Sequence, residues 1–313
     1  MGKVAFLFPG QGSQAVGMGK ELYDSCEKVA NLFHVADNTL NMKLSDLIFN
    51  GPQEELTLTV NTQPALLTAS TAILMKLKEA GIKPDYVAGH SLGEYSALVA
   101  ADVLSFEDAV YVVRKRGELM EQAVPAGIGS MAAILGMDAS ILHNITKDVT
   151  AEGHAVDVAN MNSSAQIVIS GTKEGVEIAS ARAKEQGAKR AIPLRVSGPF
   201  HSSLMKPAAE KFKDVLQSVS WNEANVPVVA NVLATPVTAA EVIQEKLVEQ
   251  LYSPVQWYPS IEKMIEQGVD TFIEIGPGKV LAGLMKSINK NVQAYCVYDT
   301  STIQETVAKL KGE

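Results

Sequence analysis

Gly89-His90-Ser91-Leu92-Gly93 is a G-x-S-x-G pentad. It follows the apolar run Tyr86-Val87-Ala88, which reads as a strand, and leads into a helical pattern over 92–101. That context suits a nucleophile elbow: flanking glycines permit a sharp strand-to-helix turn that lifts the serine oxygen above the sheet. The helix N-terminus behind it offers free N–H groups and a positive dipole to a developing oxyanion. A structural glycine turn is the plainer reading of the same five residues.

A serine nucleophile needs a base, and the chain has five histidines, His34, His90, His143, His154 and His201. His34 and His143 sit in amphipathic stretches, and His154 follows Gly153 in a loop. His90 adjoins Ser91, but neighbours on a tight elbow point apart. His201 lies in the loop Gly198-Pro199-Phe200-His201-Ser202. Rigidly anchored loops are where catalytic side chains concentrate. His201 is therefore the favoured base, against a loop histidine satisfied by its own neighbours.

A helix starting at Ser105, with Asp108 completing a capping-box-like pattern, supplies a third group. Taking Ala109 as zero and about 100° per residue, Val113, Met120 and Arg116 all fall within about 40° of it. Arg114, Lys115, Glu118, Glu121 and Gln122 fall on the opposite face. An arginine in an apolar stripe is rarely tolerated without an anionic partner. That partner is either a buried Asp or Glu, or a substrate carboxylate gripped by the guanidinium fork.

Gly10-Gln11-Gly12-Ser13-Gln14-Ala15 fits a loose dinucleotide-binding pattern after the strand at 4–8. Residues 20–40 read as helix where that fold needs a second strand and an acid, so nicotinamide binding is not expected. The loop is better used to aim the Gln11 N–H at the same oxyanion. Gly276-Pro277-Gly278-Lys279 is too short for a phosphate-cradling loop and reads as a turn supporting the site.

The elements around these residues alternate short apolar runs with helical patterns, the rhythm of an α/β protein. Helical patterns cover 19–40 and 64–80, the second with Thr62 as N-cap and Gly81 as stop; further strands are expected at 272–275 and 294–298. The middle differs. Strands at 131–135, 155–159, 167–170 and 190–196 enclose helices at 139–151 and 173–186, a ferredoxin-like split βαβ order. Turn-rich flanks, around Ala126 and Ser197, set this off as a subdomain, 125–195, inserted into a core of 1–124 and 196–313.

The chain has 313 residues, 27 Lys and Arg against 35 Asp and Glu, and a net charge of −8. With no basic run of five or more, nucleic-acid binding is not expected. Two distant cysteines, Cys26 and Cys296, form no CxxC pair, which argues against a disulfide framework or zinc site and for a reducing compartment. The apolar N-terminal stretch of six residues is short for a signal peptide, and no segment approaches a membrane helix, so a cytoplasmic protein is expected.

Taken together the chain resembles the malonyl-CoA:acyl-carrier-protein transacylases of type II fatty-acid synthesis. The resemblance runs along nearly its whole length: FPGQGSQ at 8–14, GHSLGEYSAL at 89–98, Arg116-Gly117, NMNS at 160–163, GPFHS at 198–202, EQLYSPVQW at 249–257 and EIGPG at 274–278. It implies an α/β-hydrolase-like core with an inserted ferredoxin-like subdomain, and transfer of malonyl from malonyl-CoA to holo acyl carrier protein through a malonyl-serine.

The resemblance assigns Ser91 as nucleophile, His201 as base and Arg116 as carboxylate ligand, with the Gln11 and Leu92 N–H groups as oxyanion hole. The main-chain carbonyl of Gln250 would orient His201 in place of an acid. Phe200, His90 and Asn160 are expected around the substrate, Phe200 excluding an α-methyl branch. No metal or bound cofactor is implied, and a monomer is the family default. The acidic carrier would dock on Lys184, Lys189 and Arg190, or on Lys286 and Lys290. A serine hydrolase and a non-catalytic acyl-CoA-binding module are the rival readings; steady release of free malonate would mark the first, an inert Ser91 the second.

Overall fold

The computed structural model describes residues 2–312 apart from Ala126, Arg195 and Ser197. Ten strands occur in chain order among them: β1 Lys3–Phe8, β2 Tyr86–Gly89, β3 Gly129–Leu135, β4 Val156–Ser163, β5 Gln166–Thr172, β6 Arg190–Pro193, β7 Val228–Ala230, β8 Thr235–Val237, β9 Val269–Ile275 and β10 Gln293–Val297.

Six form the main sheet, in the order β10-β9-β1-β2-β7-β8. All neighbours are parallel except β7 and β8. A parallel sheet is covered on both faces, so its central strands β1 from Val4 onward and β7 are continuous buried apolar runs rather than alternating ones. In β1, Val4, Phe6 and Phe8 enter one core, while Ala5 and Leu7 enter a second core with Val255, Trp257 and Ile261. Parallel pairing also sends every chain off the same edge. With Phe8 opposite Gly89, the loops carrying Gln11 and Ser91 leave side by side, and Asn231 follows β7 on that edge. Ligands in open parallel sheets bind at such carboxyl ends.

The other four strands form an antiparallel sheet, order β4-β5-β3-β6. With its helices Ala139–Ala151 and Lys173–Glu185 this is the expected split βαβ unit. Ala132, Ile134, Ile167 and Ile169 pack under those helices, whereas Met131, Ala133 and Val168 face the main core. The α/β expectation is what the structure shows. The expected turns at Ala126 and Ser197, and the end of the 190–196 strand at Arg195, fall outside the described residues.

Two helical expectations need correction. The 19–40 stretch is two helices, Lys20–Ser25 and Glu27–Leu40, broken where Cys26 is extended. The 64–80 helix begins earlier, at Thr59, so Thr62 lies inside it and its hydroxyl donates to the Leu56 carbonyl. Pro64 is tolerated because the carbonyl it deprives of an N–H, Val60 O, accepts instead from Arg114 Nη1 at 3.1 Å. Gly81 does follow the end of that helix, with φ 79°.

Candidate active site

Ser91 sits at the β2 elbow with φ 52°. A β-carbon on Gly89 would lie 1.9 Å from the Gly93 carbonyl carbon, and one on Gly93 would lie 2.1 Å from Phe8 O. Only glycine admits so close a turn against β1. His201 also holds a left-handed backbone, φ 58°. Strain of roughly 1–3 kcal/mol at each residue is sustained by surrounding contacts and clusters at functional sites.

Ser91 Oγ lies 2.7 Å from His201 Nε2, and His201 Nδ1 donates to the Gln250 main-chain carbonyl at 2.7 Å. A carbonyl only accepts, so Nδ1 carries the proton and Nε2 is left to accept from the serine. Burial, and next the Arg116 charge, push the imidazole down to about 3. The neutral imidazole is thereby the resting form at physiological pH.

Arg116 is 1% exposed. Its Nη1 donates to Gln63 Oε1 at 2.8 Å; Nη2 donates to Gln250 Oε1 at 2.9 Å and to Ser91 Oγ at 3.2 Å. The guanidinium lies over the Tyr95 ring, 5.5 Å from its centroid. Among the described residues Nε has no hydrogen-bond partner and no carboxylate forms an ion pair with Arg116. The three acceptors are two neutral amides and the serine hydroxyl itself, so a full positive charge stands beside the serine without a contacting anion.

The Ser91 N–H donates to Asn231 Oδ1 at 2.7 Å, and Asn231 Nδ2 donates to Gly89 O at 2.7 Å, bracing the elbow. Leu92 and Gln11 donate their N–H groups to nothing among the described residues. Along the Gln11 loop and His90 opens a cleft of about 530 Å³, lined also by Asn160, Asn162, Leu194 and Leu281 among others. His90 Nε2 lies 2.8 Å from Asn162 Oδ1, and its ring packs near Trp257. Gly276 packs on Pro9, so the 276–279 turn buttresses the Gln11 loop. Phe200 is buried against Gly198 in the main core rather than lining that cleft.

The other histidines lie elsewhere: His34 against Tyr23, His154 beside Glu174, and His143 in a separate cleft. Sequence reasoning missed Gln63, Asn231 and Glu94. One signal pointed to Glu94: it is the only charged residue in the helix Gly93–Ala100. Nothing local marks Gln63 or Asn231, which become neighbours of the site only through packing.

A serine elbow with a carbonyl-oriented histidine, in an α/β-hydrolase-like core carrying a ferredoxin-like subdomain, defines an acyl-transfer enzyme class. The acyl transferase domain family matches residues 5–304, and the chain belongs to it. It is 63% identical, over 313 residues covering 100% of this chain and 99% of the relative, to the malonyl CoA-acyl carrier protein transacylase of Bacillus subtilis (strain 168). The corresponding protein of Staphylococcus aureus (strain MRSA252) is 51% identical over 94% of each chain. Among solved structures, an acyl carrier protein S-malonyltransferase from Vibrio cholerae superposes with TM-score 0.94 at 46% identity, covering 97% of this chain and 99% of that one. A malonyl-transacylase in complex with its holo type II PKS acyl-carrier protein gives 0.95 at 45%, covering 99% and 100%.

Proposed function

We propose that this chain moves a malonyl group from malonyl-CoA to the phosphopantetheine thiol of acyl carrier protein, through a malonyl ester on Ser91. The observation that carries this reading is the unpaired Arg116 guanidinium 3.2 Å from a serine oxygen that also meets His201. His201 Nε2 takes the Ser91 proton as Oγ attacks the thioester carbonyl. The Gln11 and Leu92 N–H groups receive the oxyanion, and CoA leaves with the proton returned by His201. The carrier thiol then attacks the malonyl ester, with His201 again taking and returning the proton.

Arg116 serves two ends in this mechanism. Its charge selects a carboxylate at the far end of the acyl group, since acetyl would leave a buried guanidinium unpaired. The same charge lowers the basicity of His201, so an arriving carboxylate that neutralises Arg116 strengthens the base as the substrate seats. His90 and Asn160, lining the cleft, would meet the pantetheine arm; Phe200, next to His201 in the chain, would narrow the acyl site against an α-methyl branch.

In this reading 125–195 is the inserted subdomain and 1–124 with 196–313 the catalytic core, supported by their separate sheets. One chain supplies the whole relay, which supports a monomeric unit. Free thiols at Cys26 and Cys296 support a cytoplasmic setting; no described helix is long and apolar enough to cross a membrane. The exposed Lys286 and Lys290 flank the cleft through their neighbours Leu284 and Ser287, which favours that pair as the carrier-docking cations over Lys184, Lys189 and Arg190.

Intact-protein mass spectrometry after brief mixing with malonyl-CoA or acetyl-CoA tests the reading. A malonyl adduct absent from Ser91→Ala, chosen over acetyl only while Arg116 is present, and discharged by holo carrier protein is the expected result. A folded wild type that forms no adduct, or one that releases malonate as fast as it transfers it, would sink the proposal.

A further inference from the structure

Glu94 is 2% exposed, and the mechanism above does not use it. It lies one helical turn after Ser91, its N–H bonded to the Ser91 carbonyl at 3.0 Å. One of its oxygens, Oε2, accepts from Gln250 Nε2 at 2.7 Å and from the Asn231 N–H at 3.2 Å. Gln250 Nε2 also donates to Ser91 O at 3.2 Å, while its Oε1 accepts from Arg116 Nη2. The Gln250 side chain is therefore a neutral bridge between a buried acid and a buried base that do not touch.

Turning the Gln250 amide over would set its oxygen against the Glu94 oxygen and its NH2 against the Arg116 guanidinium, repulsive at both ends. A direct Glu94–Arg116 contact would occupy donors that a substrate carboxylate needs.

We infer that Glu94 is a positioning residue: by accepting from Gln250 Nε2 it points the Gln250 amide oxygen at Arg116, and so aims the guanidinium at the acyl carboxylate without consuming it. Through Asn231 the same oxygen steadies the amide that holds the Ser91 N–H. Burial raises the Glu94 carboxyl to about 7, consistent with a group retained at some cost. The inference rests on the transferase reading.

The test compares Ser91 acylation by malonyl-CoA and acetyl-CoA in wild type, Glu94→Ala, Glu94→Gln and Glu94→Asp, with and without Arg116→Ala. Glu94→Ala should reduce the malonyl-over-acetyl preference in kcat/KM by about tenfold, the scale of one lost hydrogen bond to a charged group. Glu94→Gln, which keeps an oxygen at the same reach, should restore most of that preference. Glu94→Asp, charged but shorter, should not, and this comparison decides the matter if Glu94→Ala does not fold. In Arg116→Ala, removing Glu94 should change the preference no further. A Glu94→Ala enzyme slowed equally towards both acyl groups, or a preference better kept by Asp than by Gln, overturns the inference alone. Absence of any malonyl adduct in wild type overturns the transferase reading and this inference together.

Discussion

His201 and Arg116 stand against one another electrostatically, and the balance is measurable. Burial is the larger cause of the depressed histidine and the arginine charge the second. Arg116→Gln removes that charge, so the His201 pKa should rise from about 3 towards the ordinary 6.5, read by NMR titration of its ring. No upward movement would clear Arg116 as a cause. The sign carries over to stability. A histidine harder to protonate when folded lets the unfolded chain bind protons first. Its contribution is fully present above about 6.5 and is lost as pH falls towards about 3. Arg116→Gln should shrink that loss in acid unfolding.

Two helices, Thr59–Glu79 and Phe106–Ala123, bring Gln63 to Arg116, and Gly117 sets how closely they cross. A β-carbon there would lie 2.9 Å from Val60 Cα and 3.1 Å from Thr59 O, both backbone atoms that cannot swing away. Gly117→Ala gains about 1 kcal/mol of helix propensity but is set against about 1–3 kcal/mol of overpacking. The expected outcome is a net loss of stability in urea together with weakened malonyl selectivity, because the Gln63–Arg116 bond lengthens. Full selectivity in that variant would show that the helix spacing does not hold the arginine.

Across the whole molecule, the small sheet reaches into the site through β4. Asp157 Oδ2 accepts from both the N–H and the hydroxyl of Ser203, each at 2.8 Å, just after His201. Further along β4, Ala159 and Met161 exchange main-chain bonds with Val255, five residues after Gln250. The subdomain thus clamps both segments that carry the His201–Gln250 pair. Asp157→Ala should cost about 1–3 kcal/mol, measured by denaturant unfolding, and lower kcat for transfer while leaving malonyl preference intact. Unchanged turnover would mean the His201 loop is held without this tie.

The sequence by itself determined the features that depend on local spacing. The pentad between a strand and a helix specified the elbow at Ser91, and the helical period placed Arg116 on a buried face. The β-α-β-β-α-β order specified the small sheet, because alternation and helical period are written in consecutive residues. It did not place the start of the Thr59–Glu79 helix, since Pro64 is tolerated only by virtue of Arg114, 50 residues further on. Nor could it say what Arg116 meets. The choice between a buried acid and an open carboxylate site was left to tertiary structure, which sets Gln250 between Arg116 and Glu94. Gln63, Asn231, Gln250 and Glu94 are far apart in the chain, and only the packing of parallel strand ends and two close helices joins them into one hydrogen-bonded unit.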